Sequence, residues 1–367
     1  MAIYIGLVFY VLCLPLVFYF FNPNGKNNNK YIAFFGMLGV FLVLALKAPS
    51  VGTDIVGYRE QYYMAKQMSW SNFDYVYFES GYIFLEKVFS KLGVSFQLFT
   101  ALIYAFSSFA WYKLIAKYSK DSCISVLFFI CYQFFVFSAS GLRQVIAMAI
   151  CIFAFILFNR FDVKGIVLGF VLYSLAILFH MSAYIFAVVL IGVAVSRKVK
   201  KIRILSAIAL VPGAFILRGT VWRFINSNLK KIDVGSSVSL GGAFLFQLII
   251  FAFIAFTFYF YYKDENAYGL KLVSGDCILY EDVCALRLSL YSIVVYIMFS
   301  GGVILRSSMY VMMFVAVLFT QMFSKYNRKS RIILKVAFIV VLIYTFYSQT
   351  LAVNQFDICP YRFFWEQ

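Results

Sequence analysis

Apolar runs recur along the whole chain, and short clusters of Lys and Arg separate them. Taken in order they cover residues 3–21, 31–46, 95–112, 122–138, 142–158, 166–179, 183–195, 202–217, 243–262, 283–304, 307–324 and 332–348. A hydrocarbon core about 30 Å thick calls for about 20 apolar residues per helix, and so many such stretches suit a bilayer rather than water. The pattern predicts an all-α polytopic integral membrane protein of about 12 transmembrane helices, with residues 1–367 forming a single transmembrane domain. Two stretches interrupt it, a long amphipathic loop at 47–94 and a second loop at 218–242. Composition agrees: a chain that is 64% hydrophobic and only 13% charged, with mean hydropathy +0.89, is too apolar for a soluble domain.

The net charge of +17 does not point to nucleic acid, because the basic residues sit as short clusters between apolar runs, the arrangement that orients membrane helices. No basic residue precedes the first run, whereas Lys26 and Lys30 follow it, so the N-terminus is expected outside. Asn22-Pro23-Asn24-Gly25 after that run is unlike a signal-peptide cleavage site, and the run reads as a true span. Alternate threading then leaves both termini and the two loops outside. It puts the strongest cluster, Arg197-Lys198-Val199-Lys200-Lys201-Ile202-Arg203, inside. The runs flanking His180 are short for spans, which predicts short or broken helices near the outer face. Seven Cys are scattered without a C-x-x-C pair, so neither a disulfide framework nor a zinc site is implied.

With that threading, the polar residues that stand out share the outer side. Arg143 and Gln144 fall in the first turn of the helix that starts at Leu142, where unpaired N–H groups and the helix dipole favour an anion. Arg306 repeats this geometry, with Ser307 and Ser308 as caps, and two such sites match the two phosphates of one diphosphate. The competing reading is an Arg that snorkels to the headgroups. Asp54, Glu60, Asp74, Glu79, Glu86, Asp357 and Arg362 also fall outside, as polar loop residues do in any case. His180 is the only His; it is either a hydrogen-bonded structural residue or a base for a sugar hydroxyl. Tyr62, Tyr63, Trp70, Phe73, Tyr75, Tyr77 and Phe78 suit either sugar stacking or a headgroup belt. One His cannot build a His-rich metal site, and no Asp-x-Asp occurs, so neither a metal nor another cofactor is expected.

Several short motifs occur in a specific order. They are Val51-Gly52-Thr53-Asp54 with Tyr58; Glu79-Ser80-Gly81-Tyr82; Gly141-Leu142-Arg143-Gln144 with Ile146-Ala147; Phe179-His180-Met181-Ser182-Ala183; Arg306 with Tyr310; and Pro360-Tyr361-Arg362-Phe363-Phe364. In that order they resemble the EpsG-like family of membrane polysaccharide polymerases, which overlaps the Wzy-type O-antigen polymerases. The likeness spans nearly the whole chain. Ser80 stands where the family pattern leads one to expect Pro, and residues 218–242 and 263–282 match nothing in it.

The resemblance implies a glycosyltransferase of the bacterial inner membrane, working at its periplasmic face with both termini periplasmic. It would move a chain held on polyprenyl diphosphate onto the next lipid-linked repeat unit. Such a reaction needs cations for the departing diphosphate and a base for the attacking hydroxyl. Arg143 and Arg306, with Arg59 and Gln144, would take the diphosphate, since planar forks suit phosphate oxygens. Asp54, Glu79 or His180 would be the base, and Tyr58, Tyr82, Tyr310 and Arg362 would meet the substrate. Implied partners are the lipid-linked oligosaccharide donor and acceptor, the bilayer, a chain-length regulator and a flippase. A lipid-linked oligosaccharide flippase, an O-antigen ligase and an outer-face acyltransferase remain alternative readings.

Overall fold

The computed structural model describes residues 1–73, 78–198, 210, 212–214, 216–220, 242–261, 280–299 and 307–366. Among them the regular structure is helical, apart from one isolated antiparallel bridge between Lys47 and Phe363. The helices are α1 (Ala2–Phe21), α2 (Asn28–Ala45), α3 (Ile55–Gln67), α4 (Ser80–Lys91), α5 (Phe96–Tyr118), α6 (Ser122–Cys131), α7 (Phe134–Ser138), α8 (Leu142–Phe158) and α9 (Val163–Phe179). After a 3₁₀ turn at Met181–Ile185 come α10 (Phe186–Lys198), α11 (Gly242–Tyr261), α12 (Tyr280–Phe299), α13 (Met309–Leu318) and α14 (Arg328–Phe346).

Among the described residues the all-α expectation holds, but the expected 12 spans are not found. Five described helical segments are both long and apolar enough to cross a bilayer: Ala2–Phe21, Asn28–Ala45, Phe96–Tyr118, Met181–Lys198 and Tyr280–Phe299. Ser122–Cys131, Leu142–Phe158, Val163–Phe179, Phe244–Phe260 and Met309–Lys325 are apolar but shorter. The run at 122–138 shows why: Gln133 takes a left-handed backbone (φ 49°), which ends α6 and restarts the chain as α7. Counting apolar residues cannot see that break. Most of the expected span at 202–217 and of the loop at 218–242 falls outside the described residues.

The described chain divides into two compact units, residues 1–184 with 335–367, and residues 185–334. In the first, α2 packs on α5 and α1, and α8 packs on α9 and α5. Trp111 sits almost fully buried at its centre, edge-on to Phe129 at 4.8 Å. One end of this unit is tied by Asn29 Nδ2 to Ser119 O (2.9 Å), by Asn159 to the Tyr118 hydroxyl, and by Lys335 to Asp121 at 2.5 Å. Asp121 also caps α6 through Ile124 N–H.

The other end gathers the chain start, the 46–54 turn and the C-terminal tail. The Tyr4 hydroxyl donates to Ile358 O (2.6 Å), Tyr361 to Val43 O (3.0 Å), Ala48 N–H to Arg362 O (2.8 Å) and Phe364 N–H to Leu46 O (2.9 Å). Lys47 is buried there against the Tyr104 ring and donates to Val51 O at 2.6 Å, and burial pulls its ammonium down to about 7. The loop expected at 47–94 is thus mostly folded, with α3 and α4 packed on each other. Lys87 pins the turn between them by donating to the carbonyls of Ser69 (2.9 Å), Trp70 and Asn72.

In the second unit, α12 packs on α13, α11 and α10. Its apolar core centres on Ala214, Ile293 and Ile297. Two buried charges are met inside it: Lys325 pairs with Asp282 at 2.7 Å, and Arg287 donates to the Ser196 hydroxyl at 2.8 Å. Burying a charge is costly unless it is paired or hydrogen-bonded, so these contacts fix how the helices of this unit register.

Candidate functional site

Four of the motif segments converge in the first unit. Gly52 takes φ +109°, and a Cβ there would lie 2.3 Å from Ala139 O, so only glycine lets the 46–54 turn press on the backbone before α8. That approach carries Asp54, whose N–H donates to the Ser140 hydroxyl at 3.0 Å. Asp54 then leads into α3, with Tyr58 one turn on. In the same way, a Cβ on Gly81 would sit 2.7 Å from Leu178 O. The start of α4 therefore rests on the end of α9, with Glu79 at the junction.

Glu79 binds two other elements from this position. Its Oε2 accepts from Arg143 Nη1 at 2.6 Å, and its Oε1 accepts from the Met181 N–H at 2.9 Å. The guanidinium is held on further sides. Nε donates to the Tyr58 hydroxyl at 3.2 Å, and the ring of Phe78 lies 3.9 Å from the guanidinium carbon. Tyr58, Phe78 and Tyr82 form a mutual cluster with centroids 5.3 to 5.8 Å apart. Nη2 of Arg143 makes no hydrogen bond among the described residues, and the Arg143 side chain keeps 19% exposure. The result is a fixed guanidinium with an open edge at the start of α8.

His180 lies next to this junction with its ring turned to the chain. Its Nδ1 accepts from the Ser182 N–H at 3.1 Å and faces the Ser182 hydroxyl at 2.7 Å. The backbone donor fixes the neutral ring with its proton on Nε2, and the side chain thereby starts the 3₁₀ turn. Behind Tyr82, the fully buried Glu86 accepts from Gln61 Nε2 at 2.9 Å. Burial pushes its carboxyl up to about 8, against the pull of Tyr82, Gln61 and Arg143. Burial likewise raises the phenols of Tyr58 and Tyr82 above their ordinary range.

The expected site residues divide accordingly. Arg143, Glu79, Tyr58 and Tyr82 come together, with Asp54 exposed one turn from Tyr58 and His180 next to Met181. Gln144 is buried, Arg59 is half-buried, and the Arg362 side chain is exposed while its carbonyl holds Ala48. Tyr310 is buried in the second unit, and Arg306 lies outside the described residues. Among the loop aromatics, Phe78 stacks on Arg143, Phe73 lies under Lys87, Tyr62 is core, and Trp70 and Tyr63 are exposed. Tyr75 and Tyr77 lie outside the described residues. The sequence reading placed Glu86 among ordinary loop acids and missed its burial. The signal was present: Ile83, Glu86, Lys87 and Ser90 share the face of α4 that the structure buries.

A family model described as the EpsG family matches residues 30–363. The chain belongs to the EpsG family. The match takes in every motif segment just described, and it links the chain to polysaccharide polymerisation. With its several long apolar helices, this EpsG-family chain is a multi-pass membrane protein. No curated protein and no solved structure matches it.

Proposed function

We propose that this EpsG-family protein is an O-antigen polymerase of the bacterial inner membrane, joining polyprenyl-diphosphate-linked repeat units at the periplasmic face. The observation that carries the reading is Arg143, held by Glu79, Tyr58 and Phe78 with its Nη2 edge open at a helix start. A guanidinium fixed by three partners offers an anion the donors of its open Nη2 at little entropic cost. In the proposed reaction an acceptor hydroxyl attacks the anomeric carbon of the donor. The new C–O bond forms as the bond to the diphosphate oxygen breaks, and the leaving diphosphate gathers charge beside Arg143.

The attacking hydroxyl must lose a proton, and Asp54, Glu79 and His180 are the candidate bases. Both Glu79 oxygens are already acceptors, and Nδ1 of His180 is engaged by Ser182. Asp54 is exposed, and its backbone is fixed by Ser140. Glu79 also positions Arg143 through their ion pair.

The test is turnover of purified protein in liposomes with a lipid-diphosphate-linked repeat unit. Products of two and more units are expected without any soluble nucleotide sugar. Transfer of the unit to lipid A core instead would mark a ligase, and movement of the intact unit across the bilayer without new glycosidic bonds would mark a flippase. Either outcome would displace this reading.

A further inference from the structure

An open groove of about 600 Å³ runs along the first unit between α4, α5, α8 and α9. Its lining is entirely apolar and includes Leu85, Phe99, Ile146, Ile150, Phe153 and Phe179. Leu102, Phe106 and Leu175 stand exposed at its side, so it opens outward rather than into a closed core. In a bilayer such a space is filled by hydrocarbon, and its chemistry offers nothing to a sugar or a phosphate.

The groove's upper end coincides with the Arg143 site on three elements at once. Ile146 follows Arg143 by one turn of α8, Leu85 lies between Tyr82 and Glu86 on α4, and Phe179 directly precedes His180. From Ile146 to Leu157 the lining follows α8 for about 16 Å, roughly half of a hydrocarbon core. A cationic edge above a single narrow apolar trough matches an amphiphile with an anionic head and one long chain.

We propose that the groove seats the isoprene units nearest the diphosphate of the donor lipid, so that head and tail are read together. This rests on the diphosphate reading of Arg143. A polyprenyl diphosphate bearing a diazirine in its first isoprene units should, in nanodiscs of phosphatidylethanolamine and phosphatidylglycerol, crosslink to peptides containing residues 146–157 or 172–179. Leu175→Trp, and Leu102→Trp as a second variant at the exposed side, should cut that labelling about 10-fold. In turnover they should lower kcat/KM about 10-fold for donors of farnesyl length or longer and leave donors carrying only a methyl group on the diphosphate unaffected.

Crosslinks that fall elsewhere, or that fade equally with added phosphatidylglycerol, would overturn the assignment and leave the groove to bulk lipid. Equal turnover of both donors by both Trp variants would do the same. If the wild-type protein polymerises neither donor, the polymerase reading fails, and the crosslink still decides the groove.

Discussion

Arg143 and Glu79 stand 64 residues apart in the chain and meet at 2.6 Å, each also bound to a third element. Tyr58 of α3 takes Arg143 Nε, and the Met181 N–H takes Glu79 Oε1. One ion pair thus joins the starts of α4 and α8 to the turn after α9. Removing one partner of a partly buried pair leaves the other uncompensated, which costs more than losing a surface pair.

The pair separates a phosphate-binding role for Arg143 from a purely anchoring one. Arg143→Lys keeps the charge and its reach but loses the fork that serves Glu79, Tyr58 and an open edge together. If Arg143 stabilises the departing diphosphate, the variant should lose about 3 kcal/mol of transition-state stabilisation, on the order of 100-fold in kcat, at near-normal abundance. Glu79→Gln should lower activity less, because its one amide oxygen still accepts from Arg143, although its NH2 cannot accept from the Met181 N–H. Wild-type turnover by Arg143→Lys would return the residue to helix anchoring.

Gly81 provides a test of the junction itself. Gly81→Ala puts a methyl 2.7 Å from the backbone oxygen of Leu178, which cannot rotate away as a side chain would. The start of α4 must then lift from α9, costing about 1–3 kcal/mol by overpacking. Ala is the better helix former by about 1 kcal/mol, which is too little to offset that strain. The apparent melting temperature in detergent should fall and activity with it, whereas Gly57→Ala, which meets nothing within 4 Å, should be neutral or stabilising. Equal melting of the two variants would contradict the close approach.

The class of this protein was legible because hydrophobic periodicity is a local signal. The order of Glu79, Arg143 and His180 was legible through short motifs. Their meeting was not, because the Glu79 contact to Met181 depends on Gly81 letting two helices touch, a tertiary event with no local trace. The count of spans failed for a related reason. At Gln133 a single left-handed residue splits an apolar run that composition reads as continuous. Glu86 was missed because a carboxylate between loop aromatics reads as solvated until its burial is known. His180, weighed as a possible base, is occupied by a neighbour two residues away, which only side-chain geometry reveals.

Orientation is open to thiol labelling. The chain start, the 46–54 turn and the tail share one end of the first unit, and the Asp121–Lys335 pair marks the other. The basic residues Lys26, Lys30 and Lys164 accompany that second end, which the positive-inside tendency assigns to the cytoplasm. Cys359, half-exposed in the tail, should react with a membrane-impermeant maleimide in intact spheroplasts. Lys164→Cys, in a background lacking Cys359, should react only after permeabilisation. The reverse pattern would put Arg143 on the cytoplasmic side and remove the periplasmic reaction.

Glu86 predicts a pH dependence whose sign is fixed by its burial. Its carboxyl rises from 4.5 to about 8 in the fold, so between those values the folded chain holds a proton that the unfolded chain has released. Stability falls with pH wherever the folded state binds more protons, so this group's penalty is absent below about pH 4.5. It grows through neutrality and is complete above pH 8. At about 1.4 kcal/mol per pKa unit the full penalty is on the order of several kcal/mol. Glu86→Gln keeps the uncharged shape and an acceptor for Gln61, and cannot ionise. Melting in detergent from pH 5 to pH 9 should show the wild type losing stability relative to the variant, with the two closest at the acid end. A constant offset across that range would mean that Glu86 is ionised throughout, and that its pairing with Gln61 and its nearness to Arg143 outweigh its burial.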